Sequence, residues 1–204
     1  MEFVLSDSEI RVLGSLVEKE ATTPDYYPLT LNSLVAACNQ KTNRDPVVSY
    51  DEDEVRDVLD SLIDKDLVIV CNRKDSRVLK YDNYMADRLE LNGAENAAMC
   101  VLMLRGAQTA GEIRVRAERI HSFDELSEVE DTLAGLASRE SPLVVRLARR
   151  PGHKEYRYTH LLGGAAPEQE DQIPSESIRD RVERLESQVE ALSRMFAEFK
   201  EQFE

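Results

Sequence analysis

One succession of elements is written twice in this chain, and few architectures accommodate that. Ser6 or Asp7 can cap a first helix, with Glu9 near its first turn, and Ile10, Leu13, Leu16 and Val17 recur at helical spacing. Thr23-Pro24 stops it, and Pro28 keeps the following chain irregular. Thr30 caps a short second helix with Leu31, Leu34 and Val35 inward, and a polar loop runs from Asn39 to Pro46. A third helix is predicted from Asp51 to about Lys65, with Val55, Val58, Leu59, Leu62 and Ile63 on one face. Leu67–Cys71 is a β-rich run, Arg73–Arg77 a turn and Val78–Tyr81 a return strand.

The order then repeats. Asn92 caps a helix containing Ala98, Met99, Val101, Leu102 and Leu104, which Gly106 ends. Thr109 caps a second through Ile113, Ala117 and Ile120. Asp124 to about Ser138 is a third, with Leu126, Val129, Leu133 and Leu136 inward. Leu143–Leu147 and Glu155–Thr159 are strands around a turn at Arg150-Pro-Gly-His153. The match is visible in letters: Val55-Arg-Asp-Val-Leu-Asp-Ser-Leu62 against Val129-Glu-Asp-Thr-Leu-Ala-Gly-Leu136. Three helices and a hairpin are the order of a winged helix, and two copies of one unit explain the pattern better than one undivided fold. The fold class expected is mainly α with small β-hairpins (α+β): two tandem winged-helix domains, at 1–88 and 89–162, then a C-terminal heptad-repeat helix.

The polar, breaker-rich stretch after Leu162 reads as an acidic flexible linker over 163–175. Over 176–204, Ile178, Val182, Leu185, Val189, Leu192, Phe196, Phe199 and Phe203 alternate spacings of four and three. Val at two a positions and Leu at two d positions favour two parallel strands, with Arg181 and Glu186 able to pair between chains. The expected partner is a second copy, or another protein, meeting this amphipathic coiled-coil helix. The other reading is a helix folded back on its own domain.

Hydrophobic residues make up 42% of the 204, enough for a core, which excludes wholesale disorder. The longest apolar run, Ala97–Leu104, is far short of the ~20 residues of a membrane span. No basic region with a long apolar stretch follows Met1, so no secretory signal is expected. Cys38, Cys71 and Cys100 form no CxxC pair, and three histidines cannot complete a zinc site with them. A cytoplasmic setting without metal or cofactor follows. The net charge of −14 opposes binding to phosphates, but its distribution is uneven. Residues 1–90 hold 11 basic and 19 acidic groups, residues 91–163 hold 10 and 10, and residues 164–204 hold 5 and 11. Only the middle segment suits a polyanion.

Glu18-Lys-Glu-Ala-Thr-Thr-Pro-Asp-Tyr-Tyr-Pro-Leu29, running into Cys38-Asn-Gln-Lys-Thr-Asn-Arg-Asp-Pro-Val47, resembles the YceH-like family of bacterial proteins, generally described as uncharacterised. Leu104–Arg114, Val144–Arg149 and Pro151–His160 carry the likeness further, so it spans about residues 5–162. The resemblance implies tandem winged helices and supplies no catalytic or ligand residues. The heptads lie outside it.

The second wing is the leading candidate site. Arg146, Arg149, Arg150, His153, Lys154 and Arg157 surround Pro151-Gly152, and a hairpin tip with several cations can straddle phosphates or enter a minor groove. A solvated loop whose charges protect an edge strand is the plainer reading. Arg114, Arg116 and Arg119 on the preceding helix can extend the patch, while Arg116 and Arg119 can equally pair with Glu112 and nearby acids. The third helices argue against major-groove reading: Asp51–Glu54, Asp57 and Asp60 crowd the first, and Asp124, Glu125, Glu128, Glu130 and Asp131 the second. The acid-free run Asn39, Gln40, Lys41, Thr42, Asn43 and Arg44 is a second candidate, for a phosphate, a carboxylate or a partner's backbone. Its simpler reading is a loop whose amides hold its own turns. His121, His153 and His160 have no nucleophile motif beside them and no phosphate loop exists, so no enzyme is expected. Cys38 and Cys100 read as core fillers. Together these features predict a non-enzymatic, transcription-regulator-like dimer touching duplex DNA through the second wing. The alternative is a protein-interaction module using the acidic faces and the C-terminal helix.

Overall fold

A computed structural model of the chain describes residues 3–71, 78–150 and 152–164. Ser6 opens α1 (Asp7–Thr22) with a reciprocal cap: the Glu9 N–H donates to the Ser6 hydroxyl, and the Ser6 N–H donates to the Glu9 carboxylate. Two of the donors a helix start leaves bare are thereby satisfied. A 3₁₀ turn (Pro24–Tyr26), β1 (Leu29–Thr30), α2 (Leu31–Cys38), α3 (Glu52–Asp64), β2 (Val68–Cys71) and β3 (Lys80–Asn83) complete the first half. A one-turn helix, α4 (Met85–Arg88), leads into the second: α5 (Gly93–Arg105), β4 (Gln108–Thr109), α6 (Ala110–Ala117), α7 (Leu126–Ala137), β5 (Val144–Leu147) and β6 (Arg157–His160). Thr30 caps α2, and Asp51, Asn92 and Thr109 cap α3, α5 and α6, each of the last three answered by a glutamate at the third helical position.

The described residues are thus α+β, with seven α-helices and two three-stranded antiparallel sheets, ordered β1-β3-β2 and β4-β6-β5. Each sheet is built the same way, its last strand in the centre. Tyr81 lies opposite both Leu29 and Val70, and Tyr158 lies opposite both Gln108 and Arg146.

Two helices are buried nearly all round. In α1 every residue from Glu9 to Glu18 is buried, and in α5 every residue from Ala97 to Leu104. They pack on each other as well as on their own halves. That second contact explains why the longest apolar run in the sequence sits in α5, since a helix covered on several sides has no polar face to keep. Gly14 marks the closest approach: a Cβ there would meet Leu104 Cδ2 at 3.0 Å and Met103 Cβ at 3.2 Å. Beside it the Cys100 thiol donates to the Gly14 carbonyl at 3.6 Å. One continuous core therefore runs through both halves. The Asp45 N–H donates to the Leu104 carbonyl (2.9 Å) and the Leu5 N–H to the Leu162 carbonyl (2.8 Å).

Several expectations shift. The return strand placed at Val78–Tyr81 runs over Lys80–Asn83, with Val78 and Leu79 exposed and Tyr81 and Asn83 buried. Asn83 fixes this register: its N–H donates to the Tyr27 hydroxyl at 2.8 Å and its side-chain amide to Glu20 at 2.6 Å. The second return strand likewise begins at Arg157 rather than Glu155. Leu126, expected inward, is 41% exposed at the first turn of α7, ahead of the buried row Val129, Leu133 and Leu136. The Arg73–Arg77 turn, nearly all of the 163–175 linker, the 176–204 helix and its whole seam from Ile178 to Phe203 lie outside the described residues. Among the described residues no helix is long and apolar enough to cross a membrane.

Candidate functional site

β5 and β6 pair from Val144 opposite His160 to Leu147 opposite Arg157, and residues 148–150 and 152–156 lie between the two strands. Gly152 sits at φ +79°, a left-handed conformation that glycine adopts freely. The His153 N–H closes the tip onto the Arg150 carbonyl at 3.0 Å. Arg146, Arg149, Arg150, His153 and Lys154 are exposed, and Arg157 is half-buried. The guanidinium carbons of Arg146 and Arg149 lie 4.4 and 4.1 Å from the Tyr156 ring centroid. An aromatic face holds cations without neutralising them, so Tyr156 orders two arginines that stay available to a phosphate. Among the described residues no carboxylate lies within ion-pair distance of any of the six predicted wing residues.

An open groove of about 670 Å³ runs beside the tip, with Arg150, His153, Lys154 and Arg157 facing Thr109 and Glu112 at the start of α6. Burial, and then the charge of Arg150, pull the Arg157 guanidinium below its usual range, with Glu112 opposing. Glu112 is itself engaged, accepting from the Thr109 N–H at 2.9 Å and pairing with Arg116 at 3.1 Å. Arg114 donates to the carbonyls of Phe123 (3.2 Å) and Asp124 (2.5 Å), which ties its guanidinium beside the start of α7 without neutralising it. Sequence reasoning missed Tyr156 as a platform for arginine. The signal was its period-two relation to Tyr158 on the return strand.

The third helices keep their carboxylates in solvent. Glu52, Asp53, Glu54, Asp57 and Asp60 are exposed on α3, as are Glu130 and Asp131 on α7.

The polar loop 39–44 turns largely inward. Arg44 is 6% exposed and forks onto Glu18 at 3.1 and 2.7 Å while also donating to the Ala37 carbonyl. Burial alone would raise the Glu18 carboxyl, but the hydrogen bonds and charge of Arg44, with help from Lys19, hold it below its usual range. Asn39 exchanges two hydrogen bonds with the backbone of Tyr50 (2.7 and 2.8 Å). Gln40 accepts from Lys19 at 3.3 Å, and Asn43 from Arg105 on α5 at 2.6 Å. Lys41 and Thr42 face solvent. Cys38 and Cys100 are buried, and burial pushes the Cys38 thiol up to about 11. Among the described residues no three metal-ligating side chains converge.

Known proteins share this chain almost end to end. The profile of a family described as "Protein of unknown function, DUF480" matches residues 5–153. A UPF0502 protein of Opitutus terrae is 52% identical over 191 residues, covering 93% of this chain and 83% of its own. A UPF0502 protein of Geobacter sulfurreducens is 45% identical over 220 residues, with both chains fully covered. One from Serratia proteamaculans is 44% identical over 209, covering all of this chain and 96% of its own. The blocks that resemble the YceH-like proteins lie almost wholly within the matched span, and the chain belongs to the DUF480 (UPF0502) family of bacterial proteins.

Proposed function

We propose that each half is a winged helix and that the protein is a non-enzymatic, regulator-type dimer contacting duplex DNA through the second wing. The order helix, short strand, helix, helix, strand, strand, with the last strand central, supports the winged-helix reading of both halves. One observation carries the DNA reading. The wing presents five exposed cationic or titratable side chains with no acid paired to them among the described residues, two of them steadied by Tyr156, in a chain of net charge −14. Contact of this kind is made with phosphates and the minor groove and gives affinity with little sequence discrimination. The acidic outer faces of α3 and α7 fit that mode, since neither suits a major groove.

Fluorescence anisotropy with a labelled duplex tests it. The expected result is binding at low salt that weakens steeply as salt rises, and Arg149→Ala/Arg150→Ala/Lys154→Ala reduces the salt slope by about 3, one for each lost phosphate contact. An unchanged slope in the triple variant, or no binding near 50 mM salt (roughly the low end of the range where such contacts act), removes the reading. The second reading, a protein-interaction module, draws on the same acidic faces. The dimer is assigned to the heptad positions of 176–204. Light scattering on the full chain and on a chain ending at residue 164 checks it, the expected outcome being twice the chain's mass for the first and once the shortened chain's mass for the second.

A further inference from the structure

At the end of α5 a recess of about 30 Å³ is lined by Arg105, by Arg116 and Arg119 from α6 and the turn after it, and by Glu18 and Asn43 from the first half. Arg119 is exposed, and Arg105 and Arg116 are half-buried. Three arginines face one carboxylate there, and that carboxylate is taken: Glu18 is held by Arg44 at 2.7 Å and by Lys19 at 3.3 Å. Arg105 donates to the Asn43 side-chain oxygen at 2.6 Å, which carries no charge to offset it. Among the described residues neither Arg105 nor Arg119 has a carboxylate within ion-pair distance. Arg116 shares Glu112 at 3.1 Å, a partly exposed pair of the kind that holds weakly. Burial, and then the charges of Arg116 and Arg44, pull the Arg105 guanidinium below its usual range, with Glu18 and Asp45 opposing. Like charges gathered around one recess repel, and an anion at its mouth relieves them.

The size of the recess, close to the roughly 30 Å³ share of one water, admits a single oxygen and no whole small molecule. Its guest is therefore a group whose bulk stays outside, as a backbone phosphate does, and guanidinium forks match phosphate oxygens. The way from the recess to the second wing is continuous. Thr109 and Glu112 border the wing groove and also a neighbouring open groove of about 350 Å³, and Arg116 lines both that groove and the recess. Glu112 and Arg116, four residues apart, share one face of α6. The two grooves also carry Glu155, against Arg116, Arg150, Lys154 and Arg157. We propose that Arg105, Arg116 and Arg119 hold a second phosphate of the duplex, so that the DNA backbone runs from the wing along α6 to residues of the first half. This contact rests on the reading of the chain as a duplex-DNA binder and adds a site that the wing does not supply. α6 then faces the duplex in place of the acidic α7, and its contacts fix position without reading bases.

Anisotropy of a labelled duplex with the full chain, over a salt series, tests the contact. Arg105→Gln/Arg119→Gln is expected to lower the salt slope by about 2, one for each lost phosphate contact, and this loss adds to that of the wing triple variant. Arg119→Glu, made on an exposed side chain, leaves the Arg105–Asn43 bond in place and is expected to lower the slope by about 1 by itself. Arg56→Ala removes a charge from the exposed face of α3 and is expected to leave the slope unchanged. An unchanged slope in both recess variants, with the wing variant's slope lowered, overturns this contact and leaves the wing reading standing. A lowered slope in the recess variants with the wing variant unchanged sustains the contact and removes the wing. A loss just as large in Arg56→Ala overturns the contact as a mere effect of net charge. No binding by the unaltered protein near roughly 50 mM salt removes both.

Discussion

His160 closes β6 with its ring largely withdrawn from solvent, and burial lowers its pKa from 6.5 to about 4, Asp7 opposing. The folded protein therefore keeps it neutral where the unfolded chain takes up a proton. Stability is unaffected above about pH 6.5, falls as the pH drops through 6.5, and levels off near 4, with a ceiling of about 3 kcal/mol at 1.36 kcal/mol per unit. His160→Gln should flatten that part of the profile, as read from urea midpoints at several pH values; parallel curves for the two proteins would acquit the histidine. The depressed carboxyl of Glu18 acts in a lower window, its contribution being lost only as pH falls below the ordinary carboxylate range. Removing its partner is more severe. Arg44→Met leaves Glu18 without its principal counter-charge and should cost about 3–5 kcal/mol in chemical denaturation, while Lys41→Met in the same loop stays within about 0.5 kcal/mol.

Among the elements, α1 and α5 depend on a close approach that a side chain at residue 14 would prevent. Gly14→Leu should lose at least about 2 kcal/mol in thermal or urea unfolding, because Leu104 and Met103 already stand at 3.0 and 3.2 Å from where its Cβ would go. A glycine inside a helix normally weakens it, so its presence here marks a packing demand. Such elements were readable where the chemistry is local. Ser6, Thr30, Asn92 and Thr109 cap the helices assigned to them, since a cap is a contact between residues three apart, and Asp51, read as the first residue of its helix, turns out to be its cap. The strands were read less well. Val78 and Leu79 look like strand interior, yet pairing begins two residues later because Asn83 is anchored by Tyr27 and Glu20, residues more than fifty positions earlier. Two-residue strands such as β1 and β4 have no period to detect.

Across the whole described unit, residues distant in sequence decide what sequence alone left open. The wing cations were legible as a cluster of letters, and their freedom from acids needed only the hairpin to form. The grouping of Arg11, Tyr50, Met103 and His160 around one pocket was not legible, because they come from four separate segments and no spacing rule relates them. The shared core makes a further prediction. Leu133 is fully buried in α7, in the second half, and Leu133→Ala should cost about 2–5 kcal/mol. Because the halves share one core, hydrogen-exchange protection in α2 and α3 should fall by a similar amount; loss confined to the second half would show that the halves unfold separately. The seam that couples them joins α1 to α5, the first helix of one copy to the first helix of the other. A contact made by the same element from both sides has the form of an isologous interface between two identical half-length chains. Covalent linkage turns such an encounter into an intramolecular one at high effective concentration. Each half then keeps its partner at hand whatever its own surface carries, acidic in the first and cationic around the β5–β6 connection in the second.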